Sequence, residues 1–223
     1  RPSPARAAYP ESSFTSPYNI SNSAAPQYEN SQHPRLVWRR DNYLHAAWME
    51  GSGAPYRYGT AYTRGQGTLW PLWEWTGRHD NPAYANPGVA VDSLGNVHVA
   101  WTSNPEPPYD IYYAVRTGSV WSSPANLSEA LGPTRRSSFY PAIAVDGANR
   151  VWVAWQTGIS DTDSDLYARS RPAGGDWELP AKISSSAAQD LNVELAAGVN
   201  NTIHAVWRNN SFAAKECLKF LKS

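Results

Sequence analysis

The chain has 223 residues, enough for one large all-β domain or two small ones, and ample to bury a core. Lys and Arg together number 19, as do Asp and Glu, so the formal charge is zero and no global field attracts nucleic acid or an anionic membrane surface. One Cys excludes an internal disulfide and a Cys-based zinc site, and no apolar run approaches the ~20 residues of a membrane span. Eleven Trp and 13 Tyr against 4 Phe favour aromatic rings with a polar handle, which suit half-buried sheet faces and sugar platforms alike.

In chain order, residues 1–13 are polar and lack a hydrophobic signal core, reading as a flexible mature terminus after signal removal. With many Asn, Ser, Trp and Tyr and few Lys, this points to a secreted or cell-surface protein. Four related stretches follow, ending at Trp48, Trp101, Trp155 and Trp207, with spacings of 53, 54 and 52 residues. A period near fifty is a signature of propellers and other repeat arrays. In PGVAVDSLGNVHVAW (87–101) and PAIAVDGANRVWVAW (141–155), short β-branched runs flank turn chemistry, so each reads as strand, turn, strand. Third strands are expected at 56–63, 109–116 and 164–170, and fourth strands at 119–128 and 175–184. Four antiparallel strands make a propeller blade.

The fourth-strand pattern also appears at 16–21, SPYNIS, where no blade precedes it, and Pro17 falls in series with Pro71, Pro124 and Pro180. The expected fold is therefore an all-β propeller of about four four-stranded blades, with the N-terminal strand (14–21) completing the last. Blades are placed at about 33–76, 87–128, 140–184 and 192–210, within a propeller spanning 14–210. Either this ring closes within one chain, or the chain is part of a six- or seven-bladed propeller, or a half that pairs into a larger ring. In the tail, 211–223, Ala214, Cys217, Leu218 and Leu221 fall at i, i+3, i+4 and i+7, which predicts a short amphipathic helix; a degenerate third strand is the alternative.

The pattern P-x-[IV]-A-V-D-x-x-G-N-x-[HW]-V-A-W, followed by D-[IL]-Y-Y-A-x-R and W-x-x-P-x-[NK]-[IL]-S, resembles the sialidase-like (BNR-type) β-propeller repeats of secreted bacterial proteins over most of 14–207. The resemblance implies the architecture. The Asp-box of enzymatic members is absent, and their arginine triad, Tyr–Glu pair and Asp acid/base find no residue-by-residue match, so catalytic residues stay unassigned.

Several clusters have bland explanations. Asp92 and Asp146 sit in the D-x-x-G-N turns, where a carboxylate binds its own backbone. His45, His98 and His204 share one blade position and are expected to pack between blades. DTDSD (161–165) lacks the glycine of a calcium loop, and Asp165 matches Asp110 of the repeat. The sequons at Asn19, Asn126, Asn201 and Asn209, and the stripe Tyr109, Tyr112 and Tyr113, read as repeat and packing residues. No metal site and no cofactor is expected.

LWPLWEWTGRHDN (69–81) breaks the repeat. Glu74 falls in line with Ile20, Leu127 and Ile183, so a bulge or register shift is expected there. Trp70, Trp73 and Trp75 offer rings for stacking on sugars, and Glu74, Arg78, His79 and Asp80 offer hydrogen bonds to hydroxyls. The leading expectation is a secreted, non-catalytic propeller that binds carbohydrate or another cell-surface ligand through these residues, with no nucleic-acid partner and no membrane insertion. The alternatives are a sialidase-like glycoside hydrolase, or a fragment of one, and an assembly module forming homo-oligomers.

Overall fold

The computed structural model describes residues 17–21, 31–39, 41–52, 57–76, 86–103, 107–132, 136–158, 163–184, 189–210 and 217–222. Its described residues are all-β, in four antiparallel sheets that follow one another along the chain. The first contains β1 (Gln32–Trp38), β2 (Leu44–Ser52), β3 (Arg57–Gly65) and β4 (Glu74–Trp75). The second contains β5 (Gly88–Val91), β6 (Val97–Ser103), β7 (Asp110–Thr117) and two short outer pieces, β8 (Val120–Trp121) and β9 (Ala125–Asn126), both paired with β7. The third is β10 (Ser138–Val145), β11 (Val151–Gly158), β12 (Ser164–Arg171) and β13 (Ala181–Lys182). The fourth is β14 (Gln189–Ala197), β15 (Ile203–Asn210) and β16 (Cys217–Lys222). Each sheet is a blade, and the first strand of each blade lines one shared cavity. These are the propeller blades the repeat predicts; among the described residues no N-terminal strand completes blade four.

The alternation of the second strand explains how blades pack. In the A-W pair that ends the first three repeats, and in Val206-Trp207 of the fourth, neighbouring side chains point to opposite faces. Ala47 of blade one lies in the cluster holding Trp101 of blade two. Ala100 of blade two lies with Trp155 of blade three, and Ala154 of blade three with Trp207 of blade four. A small residue on one blade thus receives the large ring of the next, and all four Trp are at most 6% exposed. At about 25 cal/mol per Å², burying 150–250 Å² of ring contributes roughly 4–6 kcal/mol before entropy. Trp48 is covered by Ile20, Trp70 and Trp73. Toward the axis that cover stops: Leu36 on β1 is 62% exposed, whereas its register equivalents Val89 and Ile143 are 8% exposed, and Trp38 is 61% exposed where Val91 and Val145 are half-buried.

The turns behave as the sequence requires. Asp92 Oδ1 accepts from the Leu94 and Asn96 N–H groups, and Asp146 Oδ1 from those of Ala148 and Arg150. Gly95 and Asn149, at matching turn positions, take positive φ of 87° and 61°. Gly88 is needed for another reason. A Cβ there would lie 2.9 Å from Ile143 Cγ2, so its absence lets β5 approach β10.

Two expectations change. The tail is not a helix: Cys217–Lys222 is a strand paired with β15 from His204↔Lys222 to Asn209↔Cys217, continuing blade four beyond residue 210. A helix this short is marginal alone, whereas the open edge of β15 supplies a full ladder of backbone hydrogen bonds. Residues 17–21 belong to no strand. They nevertheless repeat the fourth-strand geometry: Asn19 Oδ1 accepts from Ser21 N–H as Asn126 Oδ1 does from Ser128 N–H. Ile20 also packs on the next blade as Leu127 and Ile183 do.

Candidate functional site

The irregular segment lies at the outer edge of blade one. Pairings Ala61↔Trp75 and Tyr62↔Glu74 correspond to Tyr112↔Asn126 and Tyr113↔Ala125 in blade two, and to Tyr167↔Lys182 and Ala168↔Ala181 in blade three. Trp75 therefore stands where Asn126 and Lys182 stand, and Thr76, not Glu74, takes the place of Leu127 and Ile183. The expected register shift is a displacement by two. Leu72 and Trp73 are inserted after Pro71, and an even insertion keeps each side chain on its face.

The structure brings Trp70, Trp73, Glu74 and Trp75 together; Arg78, His79 and Asp80 lie outside the described residues. Trp70 folds back over Gly65, where a Cβ would meet its ring, and its Nε1–H donates to the Gly67 carbonyl at 3.0 Å. Trp73 Nε1–H donates to the Ser21 carbonyl at 2.6 Å, and its ring meets Trp48 and Trp75 edge-on, with centroids 6.3 and 4.8 Å away. Glu74 reaches across to blade two, accepting from Arg116 Nε at 2.5 Å and Trp121 Nε1 at 3.2 Å. Each of these rings is half-buried, and Leu69 and Leu72 beside them are 77% and 78% exposed. Trp73 and Glu74 thus hold structure together.

A second feature is axial. A cavity of about 300 Å³ is lined by the inner strands of all four blades, with Val37, Val89, Ile143 and Leu195 on its walls. Arg35 and Glu194 face each other across it at 3.6 Å.

The shared histidine position proves unequal. In blade one His45 is fully buried and both ring nitrogens are bonded, Nδ1 to the Tyr62 hydroxyl at 2.8 Å and Nε2 to Asp41 Oδ2 at 3.3 Å. Burial pushes His45 down, outweighing the Asp41 contact that raises it. In blade two His98 Nδ1 meets the Tyr113 hydroxyl at 2.6 Å. Asp92 Oδ2 lies 3.4 Å from Nε2 but off the ring N–H direction, so this contact is electrostatic and Nε2 has no hydrogen-bond partner. Burial raises the Asp92 carboxyl, yet the contacts with His98 and Asn96 more than offset it and hold it well below the usual carboxylate range. Burial also pushes the Tyr113 hydroxyl up to about 12. In blade four His204 Nε2 meets Thr202 Oγ1 at 3.4 Å. Asp165, the last residue of DTDSD, is bound by Lys182 Nζ at 2.6 Å and Ser184 Oγ at 3.2 Å, a fourth-strand lock. No group of three or more His, Cys, Asp or Glu among the described residues is placed to hold a metal. No helix among them is long and apolar enough to cross a membrane.

No protein-family model matches the sequence, and no curated protein shows significant similarity to it. Solved structures share the fold. A protein of unknown function from Dyadobacter fermentans superposes with a TM-score of 0.63 at 11% identity, over 86% of this chain and 66% of that one. An endo-arabinase from Bacteroides thetaiotaomicron gives 0.52 at 12% identity, over 84% and 72%. The GH93 α-L-arabinofuranosidase of Fusarium graminearum, in complex with arabinobiose, gives 0.56 at 13% identity, over 89% and 64%. The chain thus spans about two thirds of the length of these proteins, and at such identities the likeness is one of fold.

Proposed function

We propose that the chain is a carbohydrate-binding β-propeller of exported proteins, which holds glycan at the outer edge of blade one. The observation that carries this reading is Trp75: where sister blades place Asn126 and Lys182, this blade places an indole beside Trp70 and Trp73. Half-exposed rings next to exposed Leu69 and Leu72 make an apolar aromatic surface, and flat rings stack on the C–H faces of sugars. The fold likeness to an endo-arabinase and to an arabinobiose-bound α-L-arabinofuranosidase supports a glycan as the ligand class. A glycan array, with Trp75→Ala beside the natural chain, tests the proposal. Binding that falls at least tenfold in the variant is expected; an array blank for the natural chain removes the reading. Trp75 is the better probe than Trp73, which also covers Trp48.

A second reading, glycoside hydrolysis of sialidase-like or arabinan-cleaving type, is favoured by the axial cavity. Hydrolysis of arabinan generally uses two carboxyl groups at a set separation, whereas sialidase-like hydrolysis uses a Tyr nucleophile. Among the described lining residues Glu194 is the one carboxylate, and its partner is Arg35. Release of sugar from arabinan or a fluorogenic sialoside, abolished by Glu194→Gln, would establish this reading over the first.

A further inference from the structure

Between blades two and three lies a pocket of about 170 Å³, at the end of the blades that carries the Asp92 and Asp146 turns. This is roughly ten times the space one ordered water needs. Blade two contributes Asp92, Asn96, His98 and Tyr113, and blade three contributes Arg171 with the turn from Pro172 to Gly174. The two turns are tied by Ser93 N–H to Asn149 Oδ1 and Asn149 Nδ2 to Ser93 Oγ, both 2.7 Å, so the walls are fixed relative to each other.

Three features define what fits. His98, 6% exposed, lines the pocket with an Nε2 that no protein group satisfies, whereas its sister His45 is fully satisfied; the repeat itself does not require the open nitrogen. The carboxylate beside Nε2 favours the tautomer protonated there, with the Tyr113 hydroxyl donating to Nδ1. Asp92 Oδ1 already accepts two N–H groups and Oδ2 one from Asn96, so Oδ2 keeps one acceptor site. A donor and an acceptor 3.4 Å apart match two neighbouring hydroxyls. Among the lining residues the charges of Asp92 and Arg171 balance, and Asp92 is also 4.0 Å from the Arg39 guanidinium, so the pocket offers no free carboxylate for a cation and suits a neutral ligand. Leu94, Val115, Val151 and Pro172 offer walls for C–H groups.

We propose that this pocket binds a single neutral sugar residue through a vicinal diol, with His98 Nε2–H donating to one hydroxyl and Asp92 Oδ2 accepting from the next. The site is separate from the Trp75 edge. The test is NMR of the full chain, following the His98 ring signals as L-arabinose, D-galactose or D-glucose is added to about 50 mM, well above a millimolar Kd. At least one sugar shifts them saturably. Ala173→Trp, at an exposed position on the rim, blocks the pocket and weakens that binding at least tenfold, while Trp75→Ala leaves it unchanged. Leu94→Trp, on the opposite exposed rim, repeats the block if the first variant folds poorly. The proposal is overturned if none of the sugars moves the His98 signals, or if binding survives both plugs. A positive glycan array that depends on Trp75 would stand in either case.

Discussion

Blade two and blade one carry the same repeat but hold their outer strands in opposite ways. In blade two Asp110 Oδ1 accepts from Ser128 Oγ at 2.6 Å and Oδ2 from Asn126 Nδ2 at 3.0 Å, while Ser128 Oγ accepts from the Ile111 N–H. Blade three repeats this with Asp165, Lys182 and Ser184. In blade one the register places Gly59 where Asp110 and Asp165 stand. There Thr76 bonds the Thr60 carbonyl through both N–H and hydroxyl, and the strand's charge, Glu74, goes across to Arg116 and Trp121 of blade two. A lock inside the blade has become a tie between blades. That exchange frees the outer edge of blade one to carry indoles where its sisters carry Asn126 and Lys182.

The largest expected effect comes from breaking the internal lock. Asp110→Ala strands one buried donor, Ser128 Oγ, and one half-buried donor, Asn126 Nδ2, and should cost about 2–3 kcal/mol in urea unfolding, more than loss of the Glu74 tie. Asp165→Ala should cost less, about 1–2 kcal/mol, because Lys182 is 44% exposed and water takes over part of its solvation. Glu74→Ala should cost about 1 kcal/mol or less, since its side chain is 39% exposed. Its signature is salt dependence: the difference from the natural chain should shrink between low salt and 1 M salt, whereas the Asp110→Ala difference should not. Tyr113→Phe removes the hydroxyl beside His98 and leaves the buried Nδ1 without that partner, for about 1 kcal/mol at neutral pH. The Tyr113 pKa is raised by burial to about 12, so its contribution is intact below the ordinary tyrosine value near 10 and is lost as pH climbs toward 12. Stability measured from pH 9 to 12 should therefore fall less steeply in the variant than in the natural chain. An unchanged slope would show that Tyr113 titrates alike folded and unfolded.

How much of this was legible beforehand differs residue by residue. The turns around Asp92 and Asp146 were, because a carboxylate two to four residues from free N–H groups acts locally. The packing role of His45 was legible from its repetition. The β4 register was not: alignment on Pro71 put Glu74 at the Leu127 position, and only the ladder to β3 shows that Leu72 and Trp73 are inserted. The tail misled because Ala214, Cys217, Leu218 and Leu221 fit helical spacing, while the deciding partner, β15, lies outside the window that spacing samples. The His98 pocket left no sequence signal, since its other wall, Arg171 to Gly174, belongs to another blade some seventy residues on.

The sequence by itself determined the blades: alternating strands and turns built from Asp, Gly and Asn act within a few residues of each other, and a period near fifty repeats them. Only the tertiary structure decided what happens between blades. It set which Trp meets which Ala, where Glu74 finds Arg116, and why His98 keeps an open nitrogen while His45 does not. Those outcomes depend on contacts between residues tens of positions apart, where the repeat makes sister positions look identical and packing makes them different.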